Sequence, residues 1–229
     1  MNREEVRARI EAIGIVPAIR VSSAEDALLA AQAVADGGIP IVELTMTVPG
    51  AVEVIAALVK AHPDLIVGAG TVWDVETAQC CLDAGAMFLT STGLELDVVD
   101  FAHQRNVVVF PGALTPTEVM RAWKAGADFV KIFPCSQLGG AAYIKALKAP
   151  FPKVPLIASG GVNQTNVADF MLAGAVAVGV GGHLIPRKAI EMRQPHRIHE
   201  LASRFVHAVE TARRCRTDFT PGKLNAPHV

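Results

Sequence analysis

The sequence predicts an α/β chain: a (β/α)₈ TIM barrel with an extra N-terminal helix and a C-terminal helical tail. Three observations carry this. Eight short apolar runs alternate with stretches of helical period, the pattern of parallel strands joined by helical crossovers. The chain has 229 residues, and a compact barrel needs roughly 200 or more. The first run lacks the G-x-G-x-x-G loop that would favour an open dinucleotide-binding sheet.

In chain order, MNREEVRARIEAIG is a charged helical segment expected to plug the barrel bottom. The strand runs follow at 15–20, 39–45, 65–71, 86–92, 107–112, 128–134, 154–161 and 175–182, recurring every roughly 20 to 27 residues. Helical stretches between them include 24–38, 49–62, 75–86, 115–127 and 163–175. Thr115 opens a capping box, with Pro116 at the first helical position and Glu118 three residues on. Gly37-Gly38, Gly85, Gly126 and Gly174 mark helix ends. No composition break marks a linker before about residue 186, so residues 1–229 read as one domain. Residues about 187–229 supply a C-terminal helix (about 196–214) and a loose end, and the basic run ARRCR suits a solvated helix C-terminus.

Composition narrows the function classes. Hydrophobic residues make up 51% and charged residues 19%, which excludes disorder. The net charge of -1 leaves no cation excess for nucleic acid. The longest apolar stretch, 173–182, is about half a transmembrane helix. The charged start lacks a signal-peptide core. The expectation is a cytoplasmic protein with no nucleic-acid or membrane partner. Cys80, Cys81, Cys135 and Cys215 form no CxxC pair and are read as buried thiols acting as small hydrophobes. No HExxH, carboxylate cluster or ligand-like histidine spacing occurs, so metal-free chemistry is expected.

Barrel function sits at the C-terminal ends of the strands. Those ends carry Arg20, Glu43 with Thr45 and Thr47, Thr71, Thr90 to Thr92, Lys131 with Phe133, Ser159-Gly160-Gly161 and Gly181-Gly182-His183. Strand side chains alternate. Val130 and Ile132 suit packing under helices, which turns Phe129, Lys131 and Phe133 inward, Phe133 above the lysine. An unperturbed lysine is about 0.04% neutral amine at pH 7. Burial disfavours an ammonium, and a neutral amine can attack a carbonyl to give a Schiff base. Taken alone, a strand-end lysine more often reaches solvent past its neighbours; the rest of the constellation, Glu43 and the glycine-rich strand ends, favours the interior. Glu43 turns inward by the same alternation, and an interior carboxylate must be paired or protonated. It is either an ion-pair partner of Lys131 or a general base; position alone does not choose. The glycine pairs after the seventh and eighth runs fall where barrels hold phosphate on backbone N–H groups, with Ser159 and His183 beside them. Arg20 would hold a carboxylate or phosphate, or form a surface pair.

These residues resemble the 2-keto-3-deoxy-6-phosphogluconate (KDPG) and 4-hydroxy-2-oxoglutarate (KHG) aldolases. The matching segments are VPAIR, IVELTMT, IVGAGTV, VVFPGALTPTE, DFVKIFP, IASGGV and GVGG, over residues 14 to 186. The resemblance implies a class I aldolase, usually a homotrimer, that needs no cofactor beyond a covalent imine through Lys131. Its substrate is a small 2-keto acid, cleaved to pyruvate and an aldehyde. By position Lys131 is the Schiff-base lysine, Glu43 the general acid/base, and Thr71 and Phe133 pocket residues. Gly160, Gly161, Gly181 and Gly182 are the phosphate loops, and Arg20 matches an arginine that many members carry.

Three positions depart from the family pattern. Thr47 stands where an arginine is usual, Thr92 where a proline is usual, and His183 where a serine is usual. Thr47 and Thr92 alter the carboxylate contacts and pocket shape, and a protonated His183 would bind phosphate more tightly. Two other readings stay open on the residues: a phosphate-binding barrel isomerase or epimerase, and a non-catalytic sugar-phosphate-binding barrel.

Overall fold

A computed structural model describes residues 1–218. Nine strands form a single, all-parallel sheet: β1 Ile15–Ile19, β2 Ile41–Thr45, β3 Ile66–Gly70, β4 Phe88–Thr90, β5 Val108–Phe110, β6 Gly112–Ala113, β7 Val130–Ile132, β8 Leu156–Ser159 and β9 Ala177–Val180. The sheet order is β5-β4-β3-β2-β1-β9-β8-β7-β6. Its two ends are therefore the two halves of the fifth apolar run, separated by Pro111. Proline has no N–H for the ladder and divides the strand. β5 pairs with β4 and β6 pairs with β7. The N–H groups of Asp128 and Lys131 donate to the carbonyls of Val109 and Pro111 at 3.0 Å, and these bonds close the barrel. Eight runs thus give nine strands, and the extra one is a proline break.

Among the described residues, ten α-helices accompany the strands: α1 Arg3–Ile13, α2 Ala24–Asp36, α3 Ala51–Ala61, α4 Val75–Asp83, α5 Leu96–Gln104, α6 Pro116–Lys124, α7 Ala141–Lys148, α8 Val167–Leu172, α9 Arg187–Glu191 and α10 Pro195–Asp218. The capping box of α6 forms: Thr115 accepts from the N–H of Glu118, whose carboxylate accepts from the N–H of Thr115. The helical stretch expected at 163–175 is shorter. Asn163 Oδ1 accepts from the N–H groups of Thr165 and Asn166, a local turn that delays α8 to Val167.

Helix α1 closes the N-terminal end of the barrel. Val6 and Ile10 are buried. The Arg3 guanidinium grips the Asp128 carboxylate, which also accepts the N–H of Val109 at 2.8 Å. Arg7 lies over the Phe129 ring, 5.7 Å from its centroid. Helix α10 buries Ile198, Ala202, Phe205, Val209 and Ala212. Its close approach explains Gly37, where a Cβ would stand 2.5 Å from that of Ala202. The loose end expected beyond α10 lies in residues 219–229, outside the described residues.

Cys81 and Cys135 are buried, but Cys80 and Cys215 are exposed. Neighbours on a helix point about 100° apart, so only one of the vicinal pair on α4 faces inward. Among the described residues, no helix is long and apolar enough to cross a membrane.

Candidate active site

Alternation along β7 buries Val130 and Ile132 completely, and Lys131 between them points into the barrel. The lysine stands next to an aromatic layer at the N-terminal side of the interior. Phe88 stacks on Phe110 at 5.2 Å, and Phe110 meets Phe129 edge-on at 5.9 Å. Lys131 Nζ reaches two partners, Thr90 Oγ1 at 3.1 Å and Glu43 Oε1 at 3.4 Å. All three residues are buried, Lys131 being 8% exposed, Glu43 2% and Thr90 not at all.

The glutamate fits because β3 carries no side chain beside it. A Cβ on Gly70 would lie 2.1 Å from Glu43 Oε1, and one on Gly68 would lie 2.2 Å from the Phe88 ring. The alternate glycines of GAGT are thus two vacated inward positions, one filled by a carboxylate and one by an aromatic ring.

Above the pair opens a cavity of about 530 Å³. Lys131, Glu43, Arg20, Thr71, Thr92, Phe133, Ser159, Gly160, Gly161, Gly181, Gly182 and His183 all line it. The structure therefore brings together every site residue expected from sequence except Thr47. After β2 the chain turns outward, with Met46 donating to Gly70 O and Val48 to Thr45 O. Thr47 is carried to an exposed position, bonded to Thr45 Oγ1 at 2.8 Å. It lines a neighbouring cavity of about 420 Å³. Thr71 is the wall between the two.

Thr71 has a φ of 62°. A β-branched residue in the left-handed region carries strain of order 1–3 kcal/mol. Its hydroxyl accepts from Arg20 Nη2 at 3.4 Å, which ties the rim arginine to the cavity wall. Opposite lie the glycine loops. Gly160 and Gly161 have φ of +88° and +81°. A Cβ at Gly160 would stand 2.9 Å from Pro134 Cα, and one at Gly161 would stand 2.4 Å from Ser136 Cβ. Among the described residues, the N–H groups of Gly160, Gly161, Gly182 and His183 donate to no main-chain carbonyl. His183 and Arg20 are exposed at the rim.

Cys135, next to the β8 loop, is a poor rival nucleophile: burial pushes its thiol up to about 11. Among the described residues, no three His, Cys, Asp or Glu side chains gather as a metal-ligand set. Nothing in the sequence assigned Thr90 a role. Its signal was parity, since Phe88 and Thr90 share the inward face of β4.

Fold and cavity together define the class: a barrel enzyme whose strand ends enclose a buried amine–carboxylate pair. The family model for KDPG and KHG aldolase matches residues 6–201. The chain belongs to that family, whose members are aldehyde-lyases. It is 33% identical over 192 residues to a 2-dehydro-3-deoxy-phosphogluconate aldolase of Pseudoalteromonas atlantica, covering 84% of this chain and 89% of the relative. It is also 33% identical to the KHG/KDPG aldolase of Escherichia coli, covering 86% and 92%. The Legionella pneumophila KDPG aldolase, solved with pyruvate captured as a covalent carbinolamine intermediate, superposes with a TM-score of 0.80 at 30% identity, covering 86% of this chain and 96% of that one. A protein cage designed by fusing symmetric oligomeric domains superposes at 0.82 with 30% identity, covering 90% and 75%.

Proposed function

We propose that the protein is a class I aldolase that cleaves 2-keto-3-deoxy-6-phosphogluconate to pyruvate and glyceraldehyde 3-phosphate. The same site also accepts 4-hydroxy-2-oxoglutarate, giving pyruvate and glyoxylate. The observation that carries this reading is the Lys131 amine, buried at the foot of the cavity 3.4 Å from the Glu43 carboxylate.

The reaction follows from that pair. The neutral amine of Lys131 attacks the C2 ketone to give a carbinolamine. The acid form of Glu43 gives a proton to the carbinolamine hydroxyl, which leaves as water, and a protonated imine remains, an electron sink. Glu43 takes the C4 hydroxyl proton, directly or through a water. The C3–C4 bond breaks, the aldehyde departs, and the electron pair becomes an enamine. Protonation at C3 and return of the water free pyruvate and restore the amine. Arg20 and Thr71 receive the carboxylate end of the cavity, with Thr92 and Phe133 shaping the wall. The free N–H groups at Gly160, Gly161, Gly182 and His183 suit a phosphate, with Ser159 and Gly181 completing that end.

No metal or other cofactor enters these steps. The enzyme acts in the cytoplasm as a homotrimer. Exposed Trp73, Leu96, Met120 and Trp123 are apolar surface that subunit contact would cover.

Borohydride reduction in the presence of pyruvate, followed by peptide mass spectrometry, tests the reading. A pyruvyl adduct on Lys131 is expected. A folded protein that gains no adduct there overturns it. Pyruvate release across phosphorylated and unphosphorylated 2-keto acids then ranks the substrates.

A further inference from the structure

We infer that Thr90 is a positioning residue that holds the reacting nitrogen of Lys131 throughout the reaction and leaves Glu43 free to move protons. The inference rests on the lysine chemistry proposed above. Thr90 Oγ1 lies 3.1 Å from Nζ, nearer than the Glu43 carboxylate at 3.4 Å. Thr90 is fully buried and does not line the cavity. It therefore meets the nitrogen from behind, outside the space a substrate fills.

The hydroxyl is firmly placed. Thr90 ends β4, which pairs residue by residue with β5 from Phe88 to Thr90. Its carbonyl accepts the N–H of Val72. A β-branched side chain has few χ1 choices. Phe88, two residues back on the same face, is locked in the aromatic stack.

Chemistry separates the two partners of Nζ. An ionised carboxylate only accepts hydrogen bonds, whereas a hydroxyl both donates and accepts. The nitrogen changes from ammonium to amine, then to carbinolamine and protonated imine. Thr90 can stay bonded in every one of these states. The protonated imine keeps a single N–H, which serves one acceptor. If that acceptor is Thr90, both oxygens of Glu43 remain available for the C4 hydroxyl proton and for protonation at C3. The nearer, rigid hydroxyl anchors the nitrogen while the carboxylate carries the proton.

The test is the rate of borohydride trapping with pyruvate, together with kcat and KM for pyruvate release, in Thr90→Val and Thr90→Ser. Valine keeps the shape and β-branching and removes the hydroxyl. One hydrogen bond to a charged nitrogen predicts about a tenfold lower trapping rate and kcat in Thr90→Val. KM should stay within about twofold, because Thr90 touches no other part of the substrate. Thr90→Ser should recover most of both rates. A hydroxyl that merely fills the core would change melting without this split between kcat and KM. Trapping and kcat in Thr90→Val equal to wild type overturn the inference. If valine prevents folding, equal trapping in Thr90→Ser and Thr90→Ala overturns it instead. A wild-type protein that forms no Lys131 adduct overturns both this inference and the reaction it rests on. An adduct formed equally in all variants overturns the role of Thr90 alone.

Discussion

Gly70→Ala adds one methyl group where the Glu43 side chain already fills the space. The new Cβ would fall 2.1 Å from Glu43 Oε1 and 2.5 Å from both Cγ and Cδ of the same side chain. Ordinary contact begins near 3.4 Å, so the glutamate must retreat by about 1 Å or more. It cannot do so by swinging its tip alone, because Cγ is also displaced. A misplacement of about 1 Å can cost on the order of 100-fold in rate, and complete loss of a general acid/base costs 10²–10⁴-fold. The expected kcat is therefore lower by about 100-fold. Overpacking a core costs about 1–3 kcal/mol, and each kcal/mol lowers Tm by roughly 2–4 °C in a domain of this size. Lys131 keeps its nucleophile, so borohydride trapping with pyruvate should persist. Gly68→Ala is the internal control. Its methyl would strike the Phe88 ring at 2.2 to 2.4 Å, in a buried stack with Phe110, so it should lower Tm more and kcat less. Pyruvate release by a coupled assay and thermal melting by circular dichroism read both quantities. A Gly70→Ala enzyme with kcat within about threefold of wild type would refute the claim that this glycine is reserved for the carboxylate.

Two further predictions concern stability. Asp128→Ala removes the acceptor shared by Arg3 and the N–H of Val109, leaving a buried donor unpaired at about 1–3 kcal/mol. Thermal melting should fall by roughly 2–12 °C with kcat unchanged, since the residue sits at the opposite end of the barrel. Glu118 accepts the N–H groups of Thr115 and Leu114, and these bonds hold its carboxyl below the ordinary carboxylate value despite some burial. A depressed folded-state pKa gives stability that is present above the unfolded value and lost as pH falls through the folded one. Glu118→Gln keeps the cap but not the charge, so at pH 7 it should melt about 1–4 °C below wild type. The gap should close below about pH 4; a gap constant down to pH 3 would contradict the assignment.

Alternation along a strand makes most of the candidate site legible in the sequence. It turned Lys131 and Glu43 inward, and position in the barrel put Gly160, Gly161, Gly181 and Gly182 on the two loops facing them. Alternation gives a direction but not a reach. Which inward side chains end within hydrogen-bonding distance depends on the stagger between strands, and that stagger brings Thr90 of β4 to a lysine on β7. Thr47 shows the opposite failure. It follows Glu43 and Thr45 in strict alternation, yet β2 ends at Thr45 and the next turn leads it out of the cavity. The fifth run read as one strand because apolar content alone does not reveal that Pro111 splits the ladder. Gly68 and Gly70 are simply part of the third apolar run in the sequence, and their task as vacated space appears only once Phe88 and Glu43 fill it.

Two energetic costs support the proposed site independently of family resemblance. A buried ion pair is weak support for stability, and apolar replacements of similar volume are often neutral or stabilising by about 1–4 kcal/mol. The Lys131–Glu43 pair therefore needs another reason to persist at the barrel centre. Backbone strain points to the same place. Among the described residues, three non-glycine residues have positive φ: Thr71, Asn106 and Arg193. Asn106 and Arg193 each follow a helix C-cap, at Arg105 and Met192, where left-handed backbone is an ordinary way to end a helix. Thr71 follows a strand, is β-branched, and borders the same cavity as the buried pair. A buried charge pair and a strained threonine are both features that folding alone would remove. Their meeting in one cavity at the C-terminal ends of the strands supports the proposal that this cavity is kept for chemistry.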